Sequence, residues 1–336
     1  TPEQPNLFDV TFRILEHGCE VDAVQSYFGM RKVSIQNGQF LLNNRPYYQK
    51  LVLDQGYWPE SLLTAPSDEA FIRDIELTKA MGFNGVRKHQ KVEDPRYLYH
   101  ADRMGLLVWG EIGAAYLYSE QYADRIYREW LDVLRRDYNH PCIVVWTPLN
   151  ESWGVQEIET DPRQQAHSEA MVAITKSMDT TRLVVDNDGW EHTNGDLLTI
   201  HDYSPSGEML RAHLGSMDTI LALRPAQRAL FVGRHAYAGQ PILLSEFGGV
   251  KFVPGTEAQH SWGYCEADSC AAFAGKLREL FDAVRACPLV DGYCYTQLTD
   301  VETEQNGLLT YDRTPKLPLE TICAILNGRT NEHENL

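Results

Sequence analysis

The pattern that most constrains the fold of this chain is a regular alternation of short apolar runs with amphipathic stretches. The runs are rich in Val, Ile, Leu and Tyr and lack clean polar alternation, which is typical of parallel strands buried on both faces. They cover residues 49–54, 84–89, 106–111, 143–151, 183–188, 197–203, 242–247 and 292–300. Because eight strand-then-helix units follow one another, the pattern predicts an α/β fold, a (β/α)8 barrel rather than an open sheet.

The stretches between the runs carry the signals of helices. Ser67 is a predicted N-cap, with Asp68 and Glu69 in the first turn, and Gly82 follows the last turn. Further along, apolar residues recur at helical spacing and predict a buried helix face before Pro141. These residues are Tyr127, Leu131, Leu134 and Tyr138.

The first part of the chain does not fit the barrel pattern. Residues 7–15 and 22–35 are strand-like and are joined by a polar turn at residues 16–18. Two strands cannot bury a face alone, so residues 1–35 are either an edge packed on the barrel or, as we predict, the end of a truncated β domain. A hairpin with turn residues Asn43, Asn44 and Pro46 follows. The predicted domains are residues 1–35, a barrel over residues 36–330 and a tail over residues 331–336.

Composition excludes several classes of partner. The formal net charge is −17, which disfavours nucleic acid and anionic membrane surfaces. No apolar run approaches the roughly 18 residues needed to span a bilayer, and no signal peptide is evident. The seven cysteines show no CxxC spacing, which favours unpaired thiols in a reducing compartment. We therefore predict a cytoplasmic protein.

Polar residues collect at the ends of the apolar runs, where a barrel of this type carries its active site. The candidate site residues are Arg87, His89, Trp109, Glu111, Asn150, Glu151, His201, Asp202, Tyr203, Glu246, Gln297 and Asp300. This set combines carboxylates with amides, histidines and aromatic rings, and aromatic rings bind the C–H face of a sugar. The pattern predicts a carbohydrate substrate.

Two of these residues, Glu151 and Glu246, follow long apolar runs on non-adjacent strands. A lone glutamate at a strand end is usually a solvated rim residue or a helix cap. Two that face one barrel mouth fit glycoside hydrolysis with retention, which needs two carboxyl groups about 5–5.5 Å apart. One protonates the leaving oxygen while the other attacks the anomeric carbon, so their pKa values must differ.

At these motifs the chain resembles the family 2 glycoside hydrolases, the family of β-galactosidases, β-glucuronidases and β-mannosidases. The resemblance rests on "TPLNESWG", "ILLSEFGG", "MGFNGVRKH" and "YTQLTDVETEQNGLLTYDRTPK". It implies that Glu151 is the general acid/base, Glu246 the nucleophile and Asn150 a substrate contact. Arg87 would then support the nucleophile electrostatically, and Tyr203 would hydrogen-bond it.

The resemblance also implies further parts of the protein. Family members carry a jelly-roll domain and an immunoglobulin-like sandwich before the barrel, and residues 1–35 resemble the last strands of that sandwich. Such domains often contribute to the sugar pocket or to an oligomer contact, so a homo-oligomer formed through them is expected. The family mechanism needs no organic cofactor. We expect the barrel to fold, with weak or no activity without the upstream domains.

Some positions depart from the family pattern. The family's Arg-x-x-His is here Arg87-Lys88-His89, and Thr296 stands where many members carry Trp. Asn306 is followed by Gly307 rather than by the Asn-x-Lys reader of glucuronidases, which favours a neutral sugar such as β-galactose. No HxH or HExxH spacing supports a catalytic metal. A carbohydrate-binding pseudoenzyme remains the alternative. A metal-dependent lyase or isomerase is disfavoured because the strand ends lack its carboxylate pattern.

Overall fold

The computed structural model describes residues 1–255 and 260–329, so the predicted tail lies outside the described residues. The strands are β1 (Phe8–Glu16), β2 (Cys19–Phe28), β3 (Val33–Gln36), β4 (Gln39–Leu42), β5 (Arg45–Pro46), β6 (Gln49–Asp54), β7 (Gly85–Lys88), β8 (Leu107–Glu111), β9 (Ile143–Thr147), β10 (Leu183–Val184), β11 (Leu198–Asp202), β12 (Ile242–Gly248), β13 (Val250–Lys251), β14 (Cys265–Glu266) and β15 (Val290–Thr296). The helices are α1 (Asp68–Ala80), α2 (Pro95–Met104), α3 (Glu120–Asp137), α4 (Pro162–Met178), α5 (Gly207–Leu214), α6 (Met217–Leu221), α7 (Cys270–Arg285) and α8 (Leu319–Leu326), with a short 3-10 helix at Pro225–Gln227.

Eight parallel strands form the barrel sheet, in the order β10-β9-β8-β7-β6-β15-β12-β11. Each strand lies on one of the predicted apolar runs, so the barrel prediction is confirmed. The ladder of backbone bonds is open between β10 and β11. Side chains cross this gap: the His192 ring bonds the Asp186 carboxylate and the Thr199 carbonyl oxygen, at 2.8 Å each.

The helices pack outside the sheet, and one of the predicted helices is missing. Ser67 caps α1 by accepting from the Ala70 N–H, and Gly82 follows it with φ 94°, as predicted. However, residues 185–197 connect β10 to β11 without a helix, so the prediction of eight strand-helix units is wrong there. This connection is rich in Asp, Asn and Gly, whose local hydrogen bonds favour turns over helix.

The buried face of α3 is also displaced from the predicted one. Of the predicted residues, Leu134 is buried and Tyr138 is exposed. The buried stripe instead consists of Tyr122, Ile126, Trp130 and Leu134. Trp130 decides the orientation, because its ring packs edge-on against Trp146 of β9 at 5.7 Å between centroids.

The hairpin of β3 and β4 covers the N-terminal end of the barrel. Val33, Phe40 and Leu42 pack with Leu51 and Leu107 from the interior of the barrel strands. The turn between β4 and β5 carries Asn43 and Asn44 at positive φ, as the turn chemistry predicts. Since β3 packs with the barrel, it straddles the predicted domain boundary between residues 35 and 36.

Strands β1 and β2 form a separate antiparallel hairpin on the outside of the barrel. The second predicted strand, residues 22–35, is corrected to two strands, because β2 ends at Phe28 and β3 starts at Val33. The hairpin is tied to the barrel by Tyr27, whose hydroxyl donates to Asp102 at 2.7 Å. Its origin in a sandwich domain stays a prediction. Among the helices described, none is long and apolar enough to cross a membrane.

Candidate active site

The C-terminal ends of the barrel strands converge on Arg87 of β7, which is fully buried. Its guanidinium group donates to Glu111 Oε2 at 2.7 Å, to Glu246 Oε1 at 2.8 Å and to Asn150 Oδ1 at 2.6 Å. Its Nη1 also lies 2.5 Å from Asp188 Oδ2. One cation therefore holds together side chains from four different strand ends.

The two glutamates predicted to be catalytic lie side by side. Glu246 is on β12, and Glu151 follows β9. One oxygen of each carboxylate and a ring nitrogen of His201 lie within 4.8 Å of one another. His201 Nδ1 is 2.8 Å from Glu151 Oε1 and 3.5 Å from Glu246 Oε2. This close approach of one oxygen from each carboxylate is compatible with the short carboxyl separation of a retaining glycosidase, about 5–5.5 Å.

Burial and ion pairing together set the charge of His201. Burial disfavours its protonated form, but Glu246 and Asp188 outweigh burial and raise the pKa of His201 to about 10. Burial alone would raise the pKa of Asp188, yet Arg87 and His201 hold it well below its usual range. At neutral pH the site therefore holds an imidazolium paired with an ionised aspartate.

The carboxylates outnumber the cations in this cluster. Burial raises the pKa of Glu246, although the charges of His201 and Arg87 oppose the rise. Burial likewise raises the pKa of Glu111 to about 7 against the pull of Arg87. At both of these carboxyls, burial outweighs the attraction of the nearby cations.

Tyr203 fixes Glu246 from a second side. Its hydroxyl donates to Glu246 Oε2 at 2.5 Å and lies 3.0 Å from Thr296 Oγ1. Its ring stacks on Tyr264 with centroids 3.4 Å apart, and Trp262 packs edge-on against Tyr264. The Glu246 carboxylate is thus oriented by Arg87 and by an aromatic stack.

The backbone that carries Glu151 has a left-handed conformation, with φ of 50° at Glu151 and 58° at Ser152. Residues other than glycine rarely adopt it, so neighbours must hold it in place. The Ser152 N–H donates to Asn187 Oδ1 at 2.9 Å, and its hydroxyl donates to the buried Glu191. The Glu151 N–H donates to the Asp188 carbonyl oxygen at 3.0 Å. These buried bonds hold the turn that presents the Glu151 side chain.

Most of the predicted site residues meet at this cluster, namely Arg87, Glu111, Asn150, Glu151, His201, Tyr203 and Glu246. His89 joins them, because its Nδ1 accepts from Arg87 Nη2 at 3.0 Å. Burial, Arg87 and His201 hold the pKa of His89 well below its usual value. His89 is therefore a neutral acceptor beside the cationic Arg87.

Two predicted substrate contacts, whose role stays a prediction, have their polar groups bonded within the protein. Trp109 has no exposed surface and lies inside the barrel, where its indole N–H donates to Gln49 at 2.8 Å. Asp300 accepts from Lys316 Nζ at 2.7 Å and from the Gly307 N–H at 2.8 Å. Both side chains are engaged in holding the barrel and its last loop together.

Two further predicted contacts lie near the mouth with their polar atoms engaged. Gln297 donates to Asn306 at 2.7 Å and accepts from Gln55 at 2.9 Å. Asp202 borders the cavity described below, and its carboxylate lies 2.7 Å from His213 Nδ1. Their role as substrate contacts stays a prediction.

Sequence reasoning missed several residues of the site. Asp188 stands in "DNDGW", a segment in which an aspartate is explained equally well by a turn. Nothing in this segment indicates that Asp188 pairs with Arg87. Tyr264 lies in the connection between β13 and α7, outside any periodic run. Ser152 and Glu191 bond each other and support the turn that carries Glu151, a contact that only the folded chain reveals. The position of Asp188 at the end of the fifth apolar run is the one signal that pointed to it.

Glu151, His201 and Glu246 are also placed to hold a metal ion among the described residues. A histidine ligand must be neutral, whereas the carboxylates around His201 raise its pKa to about 10. With no metal bound, the protonated ring donates to Glu151 Oε1 at 2.8 Å and to Asp188 Oδ2 at 2.9 Å.

A cavity of about 520 Å³ opens beside Glu151. His201 and Tyr203 border it, together with Trp190, Tyr264 and residues 223–226. The cavity therefore connects directly to the carboxylate pair.

Comparisons with known proteins match the barrel as a whole to one family. The model of the TIM barrel domain of glycosyl hydrolases family 2 matches residues 33–256. A β-galactosidase of Vibrio vulnificus is 31% identical over 203 residues, which are 57% of this chain and 19% of the relative. A β-glucuronidase of Streptococcus agalactiae is 23% identical over 337 residues, 88% of this chain and 52% of the relative.

A solved structure shares the fold. The β-galacturonidase of Eisenbergiella tayi bound to galacturonate superposes with a TM-score of 0.77 at 19% identity, over 98% of this chain and 59% of that one. The chain thus spans about a fifth to three fifths of the length of these relatives.

Proposed function

This chain belongs to family 2 of the glycosyl hydrolases, and on that premise we propose that it carries the catalytic barrel of a retaining exo-β-glycosidase. The observation that carries the proposal is the placement of Glu151 and Glu246, with carboxylate oxygens within 4.8 Å of each other at one barrel mouth. Retention needs this short separation, because the second carboxylate must reach the anomeric carbon itself.

The reaction then runs as a double displacement. Glu151 protonates the glycosidic oxygen while Glu246 attacks the anomeric carbon, so the C–O bond to the leaving group breaks and a glycosyl ester forms on Glu246. Glu151, now a carboxylate, accepts a proton from water. That water attacks the anomeric carbon, releases Glu246 and leaves the sugar with its original configuration.

The surroundings of each glutamate support these roles. Glu246 accepts from Arg87 at 2.8 Å and from Tyr203 at 2.5 Å, and both donors stabilise an ionised nucleophile. The side chain of Glu151 is 25% exposed whereas that of Glu246 is 5% exposed, so Glu151 faces the space from which a leaving group and water come. Asn150, held by Arg87, would bind the sugar 2-hydroxyl.

For the glycone we propose a neutral sugar, with β-galactose as the first candidate. Arg87 and His201 are the cations at the pair, and both already bond carboxylates. Near the last barrel strand, Glu304 accepts from the amides of Gln55 and Asn306 at 3.0 and 3.2 Å. This carboxylate would repel the added carboxylate of a uronic acid bound beside it. A β-galactosidase among the relatives is consistent with a neutral glycone.

The test is a screen of the chain against nitrophenyl β-glycosides of galactose, glucose, mannose, xylose and glucuronic acid, and against the α-arabinoside. Glu246→Ala should lower kcat by about four orders of magnitude or more, and azide should restore turnover as a glycosyl azide of inverted configuration. Glu76→Ala, at an exposed glutamate of α1, is the matched control and should keep wild-type turnover.

Covalent labelling of the nucleophile tests the same assignment if turnover is too slow to measure. A 2-deoxy-2-fluoro glycosyl fluoride should label Glu246, detected by peptide mass spectrometry, because the fluorine slows hydrolysis of the glycosyl ester. The same screen is run on the chain joined to upstream domains of the kind that the family carries. Neither turnover nor labelling with any glycone, by either protein, would favour a binding protein instead.

A further inference from the structure

We propose that the cavity beside Glu151 is the subsite for the leaving group and that it takes an apolar ring system rather than a second sugar. The inference rests on the proposed glycosidase function. It goes beyond it by assigning a binding site, and a class of leaving group, to residues outside the carboxylate cluster.

The position of the cavity identifies which end of the substrate it holds. Glu151 borders the cavity, whereas Glu246, Arg87 and Asn150 do not. The general acid donates its proton to the oxygen of the leaving group, and the nucleophile attacks from the opposite side of the anomeric carbon. Of the two glutamates only Glu151 borders the cavity, so the cavity lies on the side of the leaving group.

The size and lining of the cavity indicate an apolar occupant with more than one ring. Its volume of about 520 Å³ lies within the range of pockets that enclose drug-sized ligands, about 300–1,000 Å³. Trp190 and Tyr264 supply aromatic surface, and Leu223, Pro225 and Ala226 supply aliphatic surface. Aromatic and aliphatic walls gain most from covering an apolar ring.

The polar groups of the cavity argue against a second sugar. Asp202 bonds His213 at 2.7 Å and accepts from the Ser204 hydroxyl at 2.5 Å. Arg224 donates to the Gln227 carbonyl oxygen at 3.3 Å. A buried sugar hydroxyl needs partners of its own, and one left without a partner costs about 1–3 kcal/mol. An apolar ring makes no such demand.

The experiment compares three substrates with the same glycone: a glycosyl fluoride, a 2-naphthylmethyl glycoside and a β-linked disaccharide. The fluoride has a leaving group of a single atom and does not use the cavity. The other two leave as alcohols, so their comparison reports mainly on the fit of the leaving group. In the wild-type chain, KM for the naphthylmethyl glycoside should be at least tenfold below KM for the disaccharide.

Leu223→Trp fills the cavity and is the decisive variant. It should lower the ratio of kcat/KM for the naphthylmethyl glycoside to that for the fluoride at least tenfold, mainly through KM. The matched control is Leu221→Trp at the exposed end of α6, which does not border the cavity and should leave the ratio unchanged. If Leu223→Trp fails to fold, Arg224→Trp at the exposed rim serves the same purpose.

The outcomes separate this inference from its premise. Turnover of the fluoride with an unchanged ratio in the filled variants would overturn the subsite but leave the glycosidase function intact. A lower KM for the disaccharide than for the naphthylmethyl glycoside would overturn the choice of an apolar ring. If the fluoride is turned over neither by this chain nor by the chain joined to upstream domains of the family's kind, the proposed function fails and this inference fails with it.

Discussion

The mouth of the barrel and the hairpin of β1 and β2 use the same residue types in opposite surroundings. The side chain of Arg87 is fully buried among carboxylates, whereas that of Arg13 on β1 is 65% exposed and pairs with Glu20. Phe273 on α7 is fully buried, whereas Phe12 on β1 is 62% exposed. The comparison shows that the number of neighbours packed around a side chain, rather than its residue type, decides how much it contributes to stability.

The two regions also differ in what a change would disturb. Charges in the mouth have lost their water, so each depends on its protein partners, and removing one partner leaves others uncompensated. Charges on the hairpin keep their water and gain little from pairing. The mouth is therefore a coupled unit, while the hairpin is a set of nearly independent residues.

The largest expected effect follows from removing the buried arginine. Arg87→Ala leaves Glu111, Asp188 and Glu246 without their shared cation, and we expect it to lower the free energy of unfolding by about 3–5 kcal/mol. Arg13→Ala on the hairpin should change it by no more than about 0.5 kcal/mol. Urea unfolding followed by circular dichroism measures both. Similar losses in the two variants would contradict the contrast between the regions.

The next effect compares two phenylalanines. Phe273→Ala opens a cavity where its ring stacks on Phe252 at 5.1 Å, and should cost about 3–5 kcal/mol. Phe12→Ala should cost no more than about 0.5 kcal/mol if the hairpin face is as exposed in solution as in the structure. A loss above about 1 kcal/mol at Phe12 would mean that this face is covered, for example by a second copy, which sedimentation at rising concentration would detect.

The barrel could be predicted from the sequence because its strands are local signals. Each strand is a short apolar run, and the two glutamates stand where such runs end. Arg87 and His89 are two residues apart, so the alternation of side chains along a strand places them on one face, where they bond each other. These features depend on neighbours within a few residues along the chain.

The rest depends on contacts between distant residues. Trp109 and Glu111 share a face of β8, but only the closed barrel buries Trp109 in the interior below the mouth. The role of Asp188 follows from its approach to Arg87, a residue far away along the chain. The missing helix after β10 reflects turn bonds around Asp186 that a helical period cannot show. Local patterns therefore predict the strands and their ends, whereas the pairing of charges depends on the fold.

A third effect concerns pH and the buried imidazolium. The pKa of His201 is raised to about 10, from about 6.5 in an unfolded chain, so its contribution to stability is complete below pH 6.5 and is lost as pH rises through 10. Between these values stability should fall by on the order of 1 kcal/mol per pH unit. His201→Gln should flatten this slope. An unchanged slope in the variant would show that the ring is not charged in the folded protein.

The smallest effect compares two left-handed residues, Ser152 in the mouth and His17 in the turn of the hairpin, with φ of 58° and 51°. Substitution by glycine relieves backbone strain at either site, which stabilises the folded chain by about 1–2 kcal/mol. Glycine also gives the unfolded chain more conformational freedom, which cancels part of this gain. At His17, which is exposed, these terms nearly cancel, so His17→Gly should change stability by less than about 1 kcal/mol.

Ser152→Gly also removes the hydroxyl that donates to the buried Glu191, a bond to a charged group worth about 1.5–3 kcal/mol. We therefore expect a net loss of about 1–2 kcal/mol and a lower kcat, since the turn that presents Glu151 loses its support. Equal stability of the two variants would mean that Glu191 does not hold this turn. It would also contradict the view that residues of the mouth are coupled while those of the hairpin are independent.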